Sequence, residues 1–125
     1  VIACGGGGIP VIKEKGELVG VEAVIDKDYS TSKLAVQLNA EILVFLTYVP
    51  HVYINYGKVD QRSILKLDRN GATALLESGE FGEGSMKPKI EASLNFLENG
   101  GKKVIITSLQ EINSALVGKG GTVIE

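Results

Sequence analysis

Two nearly unbroken apolar runs, Glu41-Ile42-Leu43-Val44-Phe45-Leu46 and Lys103-Val104-Ile105-Ile106-Thr107, do most to limit what this chain can fold into. Each has the length of a strand and lacks the polar alternation of a half-exposed one, so each reads as a strand buried on both faces. Such strands need helices above and below them. Helical patterns do fall between the apolar runs, and strands alternating with helices imply a mostly parallel sheet joined by right-handed crossovers. Composition agrees. Tryptophan is absent, and with 44% hydrophobic and 22% charged residues the core has to be built from Val, Ile, Leu and Ala.

The remaining elements follow from punctuation. Val1-Ile2-Ala3 reads as the end of a strand entering the loop Gly5-Gly8, a start that looks like a cut or an internal boundary. Pro10 to Lys13 and Leu18 to Val21 flank the turn-like Glu14-Lys15-Gly16-Glu17 and predict a projecting hairpin. Asp28 or Ser30 can cap a helix running to about Leu38. Val52 to Tyr56 is expected to form a short strand. Asn70-Gly71 signals a turn ahead of a short helix over Ala72 to Glu77. Pro88 suits the first turn of a helix reaching Glu98, which Gly100-Gly101 would end. A helix from about Gln110 to Val117 and a strand at Thr122 to Ile124 complete an order without repeats or linkers, so residues 1–125 are expected to form a single domain.

Charge and length exclude several functions. The formal net charge of -2, from 13 basic and 15 acidic side chains, provides no basic field for nucleic acid. No apolar run approaches the roughly 20 residues that cross a bilayer. No signal peptide is evident, and the single Cys4 cannot form an internal disulfide, so a cytoplasmic protein is expected. Cys4 reads as a small core residue and His51 as a surface residue, neither with a catalytic part.

Three segments could carry chemistry. The Gly5, Gly6, Gly7 and Gly8 loop lets backbone approach a ligand, although it matches neither the P-loop nor the dinucleotide fingerprint, and by itself it is equally a simple turn. Asp26-Lys27-Asp28 puts a lysine between two acids at a strand-to-helix junction, the edge of an α/β sheet where ligands bind. Lys27 could neutralise a transferring phosphoryl group there, or the triplet could be a solvated helix cap. Gly84-Ser85-Met86-Lys87-Pro88-Lys89 opens a helix with backbone donors aimed outward, and the cation Lys89 in its opening turn runs against the helix dipole unless an anion is near. Together these segments suggest phosphate, whose transfer needs mainly positioning and positive charge. Gly118-Lys119-Gly120-Gly121 is read as a tight turn.

The same residues carry a family resemblance. Ala3-Cys4-Gly5-Gly6-Gly7-Gly8-Ile9-Pro10-Val11 resembles the glycine loop of carbamate kinases, members of the amino-acid kinase family. The likeness continues in order through Gly20 to Asp28, Val52 to Lys58, Gly82 to Ala92 and Val104 to Ser108. It implies a three-layer αβα sandwich with a mostly parallel sheet, and reversible phosphoryl transfer between ATP and carbamate, giving ADP and carbamoyl phosphate. It also implies that Lys27 and Lys89 contact phosphoryl groups, with Asp28 orienting them. The Thr47 to Tyr56 segment, chiefly Thr47, Tyr48, Val49, Val52 and Tyr56, would line the nucleotide pocket with Met86, Tyr56 lying close to adenine, and Ser85 with the glycine loop would cradle phosphate. Mg²⁺ would ride on the nucleotide, with no protein ligand assigned to it.

Two stretches depart from the pattern. Thr47-Tyr48-Val49-Pro50-His51-Val52-Tyr53 stands where the wider superfamily has Thr-Asp-Val-x-Gly-Val-Tyr, and Leu67 to Ala72 is unlike the usual charged helix start. The resemblance covers the C-terminal, nucleotide-binding half. The Gly-Gly-Asn loop, a further phosphate-contacting lysine, most of the carbamate site and much of the dimer surface would lie in an N-terminal half that this sequence lacks. The chain alone is therefore expected to be inactive and to self-associate or form a homodimer through its uncovered sheet. A noncatalytic nucleotide-binding or interaction module, or another amino-acid kinase such as an acetylglutamate or uridylate kinase, are the other readings of the sequence.

Overall fold

The computed structural model describes residues 3–82 and 84–125. After the Gly5-Gly8 loop, β1 (Val11–Glu14) and β2 (Glu17–Gly20) form the projecting antiparallel hairpin, every residue of it exposed. Lys15 and Gly16 make its two-residue turn at φ 48° and 93°, the left-handed pair whose twist suits a tight hairpin. Of the strand proposed at the start, Val1 and Ile2 lie outside the described residues, and Ala3 belongs to no strand.

Helix α1 (Lys27–Gln37) leads into β3 (Ile42–Thr47). Its cap is Asp26, whose side chain accepts from the Asp28 backbone N–H at 2.7 Å. The sequence pointed to Asp28 or Ser30 instead, and the shift leaves the Asp28 carboxylate available for other partners. Short β4 (Val52–Ile54) pairs antiparallel with β5 (Arg62–Ile64), and β6 (Lys66–Leu67) follows. β4 stops before the expected Tyr56 because Asn55 turns into the left-handed region at φ 54°. Helix α2 (Arg69–Glu77) runs straight through Asn70-Gly71, the expected turn, because Asp68 caps it by accepting from Gly71 N–H at 2.7 Å. Helix α3 (Met86–Glu98), β7 (Lys103–Ser108), a five-residue α4 (Ile112–Leu116) and β8 (Thr122–Ile124) complete the chain.

The main sheet has the order β3-β7-β8-β6. β3 with β7 and β6 with β8 are parallel, while β7 with β8 is antiparallel. The link between β7 and β8 carries only the short helix α4, and the chain turns back to pair antiparallel with β7. Helices α1 and α3 cover one face, with a core of Leu43, Phe45, Ile90, Phe96, Val104 and Ile106. α4 packs on the other face against β7.

The two apolar runs fare differently. β7 is buried from Val104 to Ser108. β3 is not buried on both faces: Leu43 and Phe45 enter the core, but Ile42 is 50% and Leu46 43% exposed. α4 packs mainly against β7, and among the described residues β3 is an edge strand of the sheet. Cys4 is likewise half-buried rather than a core residue. Among the described residues no helix is long and apolar enough to cross a membrane.

Candidate functional site

α1 and α3 lie side by side and point the same way. Asp28 meets Lys89, Tyr29 donates to Glu91, and Ser32 donates to Asn95 at 3.2 Å, so contacts advance together along both helices. Each helix precedes one of two parallel strands, β3 and β7. Both helix N-termini therefore converge at the carboxyl edge of that strand pair, where their dipoles add and where ligands enter α/β sheets.

The innermost feature of this edge is an ion pair. Lys89 Nζ lies 2.8 Å from Asp28 Oδ2, and each side chain keeps 7% of its surface. The lysine occupies the opening turn of α3, where the dipole disfavours it, and the carboxylate in the opening turn of α1 offsets that cost. Lys27, by contrast, starts α1 with an exposed side chain. At the rim, the Tyr29 hydroxyl is pushed up to about 12 because it donates to Glu91, with burial and the charges of Glu91, Asp26 and Asp28 adding to the shift.

The glycine loop abuts the same junction. A Cβ on Gly7 would stand 1.6 Å from the Ile25 carbonyl oxygen, so only glycine permits this approach. Ser30 Oγ donates to the Gly7 carbonyl at 2.8 Å and ties the loop to α1. Gly8 sits at φ 90°, while Gly5 and Gly6 face open space.

Beside this edge is a cavity of about 320 Å³. Thr47, Tyr48 and Val49, leaving β3, form one wall. Tyr53 and Tyr56 form another, their rings 5.7 Å apart and tilted, with His51 edge-on to Tyr53. Ser85 and Met86, entering α3, close it together with Glu80 and Phe81. Gly84 and Ser85 also line a second, open hollow that includes Asp26, Tyr29 and Lys87, so the cavity opens toward the joined helix N-termini. Among the described residues no side chain caps α3: Ser85 makes no capping hydrogen bond, which leaves the first N–H groups of the helix to other partners.

Most of the residues singled out from sequence thus meet here. Val52 does not: its side chain is wholly buried in the core, and its N–H donates to Thr122 Oγ1 at 2.8 Å. Neither Lys27 nor Lys89 lines the cavity itself. Tyr53 falls within the Thr47 to Tyr56 segment expected to line the pocket. Two wall residues, Glu80 and Phe81, escaped sequence reasoning, hidden in a glycine-rich loop where a carboxylate and an aromatic ring side by side were the available signal. Among the described residues, no group of three or more His, Cys, Asp or Glu side chains could hold a metal ion.

Known proteins resemble this chain in both sequence and fold. The chain is 50% identical over 123 residues to a carbamate kinase of Thermoplasma volcanium, covering 98% of this chain and 40% of that protein. It is also 50% identical to carbamate kinase 2 of Staphylococcus aureus, over 98% of this chain and 39% of the relative. In structure it is similar to the carbamate kinase from Giardia lamblia bound to AMP-PNP, with a TM-score of 0.89 and 46% identity over 94% of this chain and 41% of the other. The chain therefore spans about two fifths of the length of these relatives. Residues 1–108 match the amino acid kinase family, and the chain belongs to that family.

Proposed function

We propose that this chain is the nucleotide-binding half of a carbamate kinase, folded as one domain over residues 1–125 and serving reversible phosphoryl transfer between ATP and carbamate. The observation that carries the reading is the Asp28–Lys89 pair, a buried cation set where two helix N-termini converge beside an aromatic cavity. Sequence identity of 46–50% to carbamate kinases, one of them bound to AMP-PNP, supports the same choice.

In this reading the base lies among Tyr48, Val49, Tyr53, Tyr56 and Met86, whose apolar and aromatic surfaces suit a flat ring. Thr47 and Ser85 offer hydroxyls, and the uncapped N–H groups of α3 receive a phosphate. Lys89 supplies positive charge behind them, held in place by Asp28, and Lys27 reaches in from the rim. The Gly5-Gly8 loop, tied to α1 by Ser30, presents backbone close to the transferring group. A phosphoryl group in transit spreads negative charge over its oxygens, and fixed positive groups stabilise it without covalent chemistry by the protein. Mg²⁺ arrives with the nucleotide, as Mg-ADP or Mg-ATP, and neutralises part of the phosphate charge.

The carbamate side belongs, in this reading, to the part of such an enzyme that the chain does not span. Activity would need that part, and the uncovered face of β3 is where this chain would associate with it or with another copy. A cytoplasmic location goes with the reading. The test is an acceptor screen on a full-length form carrying this segment. ATP formation from ADP and carbamoyl phosphate is expected, with no phosphorylation of acetylglutamate or UMP. Transfer to either of those acceptors in place of carbamate would overturn the assignment.

A further inference from the structure

Among the described residues, Glu80 is the one acidic residue on the wall of the aromatic cavity. It is half-buried, and its Oε1 accepts from the Asn55 backbone N–H at 2.5 Å. Asn55 holds a left-handed φ of 54°, so the carboxylate clamps the turn that carries Tyr56. An ionised carboxylate offers about four lone-pair positions, and among the described residues this is the only hydrogen bond that Glu80 accepts. A carboxylate facing a cavity repels phosphate and favours O–H or N–H donors. Gly84 and Ser85, on the same wall, also line the hollow that opens toward the α3 N-terminus, where anions are favoured.

We propose that Glu80 is a specificity-determining residue. Its carboxylate accepts a hydrogen bond from a donor on the nucleoside, either a ribose hydroxyl or the exocyclic amine of the base. This rests on the nucleotide reading above and names the part of the ligand that the acidic wall recognises.

Glu80→Gln separates this role from the clamp, because glutamine keeps an oxygen for Asn55 N–H while removing the charge. Calorimetric affinities for Mg-ADP, Mg-2′,3′-dideoxyADP and Mg-IDP are measured on the wild type and on Glu80→Gln, with matched melting curves. The substitution is expected to weaken Mg-ADP roughly tenfold or more, as loss of a charge-assisted hydrogen bond does. That penalty disappears for one analogue. Disappearance with dideoxyADP assigns the donor to ribose, and with IDP to the amine. An equal penalty for all three ligands reduces Glu80 to a clamp and overturns the inference, as does no penalty at all. A folded wild type that binds none of the three sinks the nucleotide reading, and this inference with it.

Discussion

At the scale of single residues, Lys89 and Asp28 explain each other. Neither charge could stay buried alone, and their positions at the starts of two neighbouring helices bring them within 2.8 Å. Lys89→Met should leave Asp28 uncompensated and cost about 3–5 kcal/mol of folding stability. The double variant Asp28→Leu/Lys89→Met, with no charge left to strand, should recover most of that loss. Urea denaturation of both variants checks this, and equal stabilities for the single and the double would show that the pair is not desolvated. Tyr29 gives a second test. Its proton is held more tightly in the folded chain, with the pKa pushed from 10.0 to about 12, chiefly by the hydrogen bond to Glu91. The native state then binds more protons than the unfolded state between those values, so this stabilising contribution is full below pH 10 and is lost as the pH rises toward 12. In an ultraviolet titration one of the four tyrosines should ionise late, and Tyr29→Phe should remove that late step.

At the scale of elements, burial sets an order of local stability. β7 is buried from Val104 onward, whereas every residue of the β1–β2 hairpin is exposed. An isolated two-stranded hairpin is marginal in water, so its amides should exchange within the fastest class, and β7 amides only on global unfolding. Hydrogen exchange followed by mass spectrometry reads this directly, and slow exchange over Val11 to Gly20 would show that the arm has cover. The hairpin was legible in the sequence because Lys15-Gly16 is a turn with a mechanism. So were β3, β7 and the span of α3, each marked by an apolar run or by Pro and Gly at its ends. The strands β5 and β6 were not, since Arg62 to Leu67 carries too few apolar residues to outweigh its charges. The start of α2 was missed for a related reason: Asn70-Gly71 signals a turn locally, but the carboxylate of Asp68 caps the helix just before it. For the site, lysines and glycine loops were visible because their residue types are unusual at element ends. The inward facing of Glu80 and the burial of Val52 depend on tertiary packing that no local pattern encodes.

At the scale of the whole molecule, the sheet is covered unevenly. Ile42 and Leu46 stand exposed on the edge strand β3, and the chain spans about two fifths of the relatives it matches. Among the described residues no strand pairs with the outer edge of β3, and an open apolar face beside such an edge favours association. Sedimentation velocity should show concentration-dependent self-association, reduced in Ile42→Lys, and a monomer at every concentration would contradict it. The joined helix N-termini matter most at this scale, because they bring two dipoles, the buried Asp28–Lys89 pair and an aromatic cavity together at a single edge. The most direct measurement is a calorimetric titration with Mg-ADP of the wild-type chain and of folded Asp28→Leu/Lys89→Met. Saturable binding by the wild type, weakened at least roughly tenfold in the double variant by loss of a charge-assisted contact, is the expected result. A folded wild type that takes up no nucleotide, or a double variant that binds as tightly, would contradict the role given to Lys89 and to the edge it anchors.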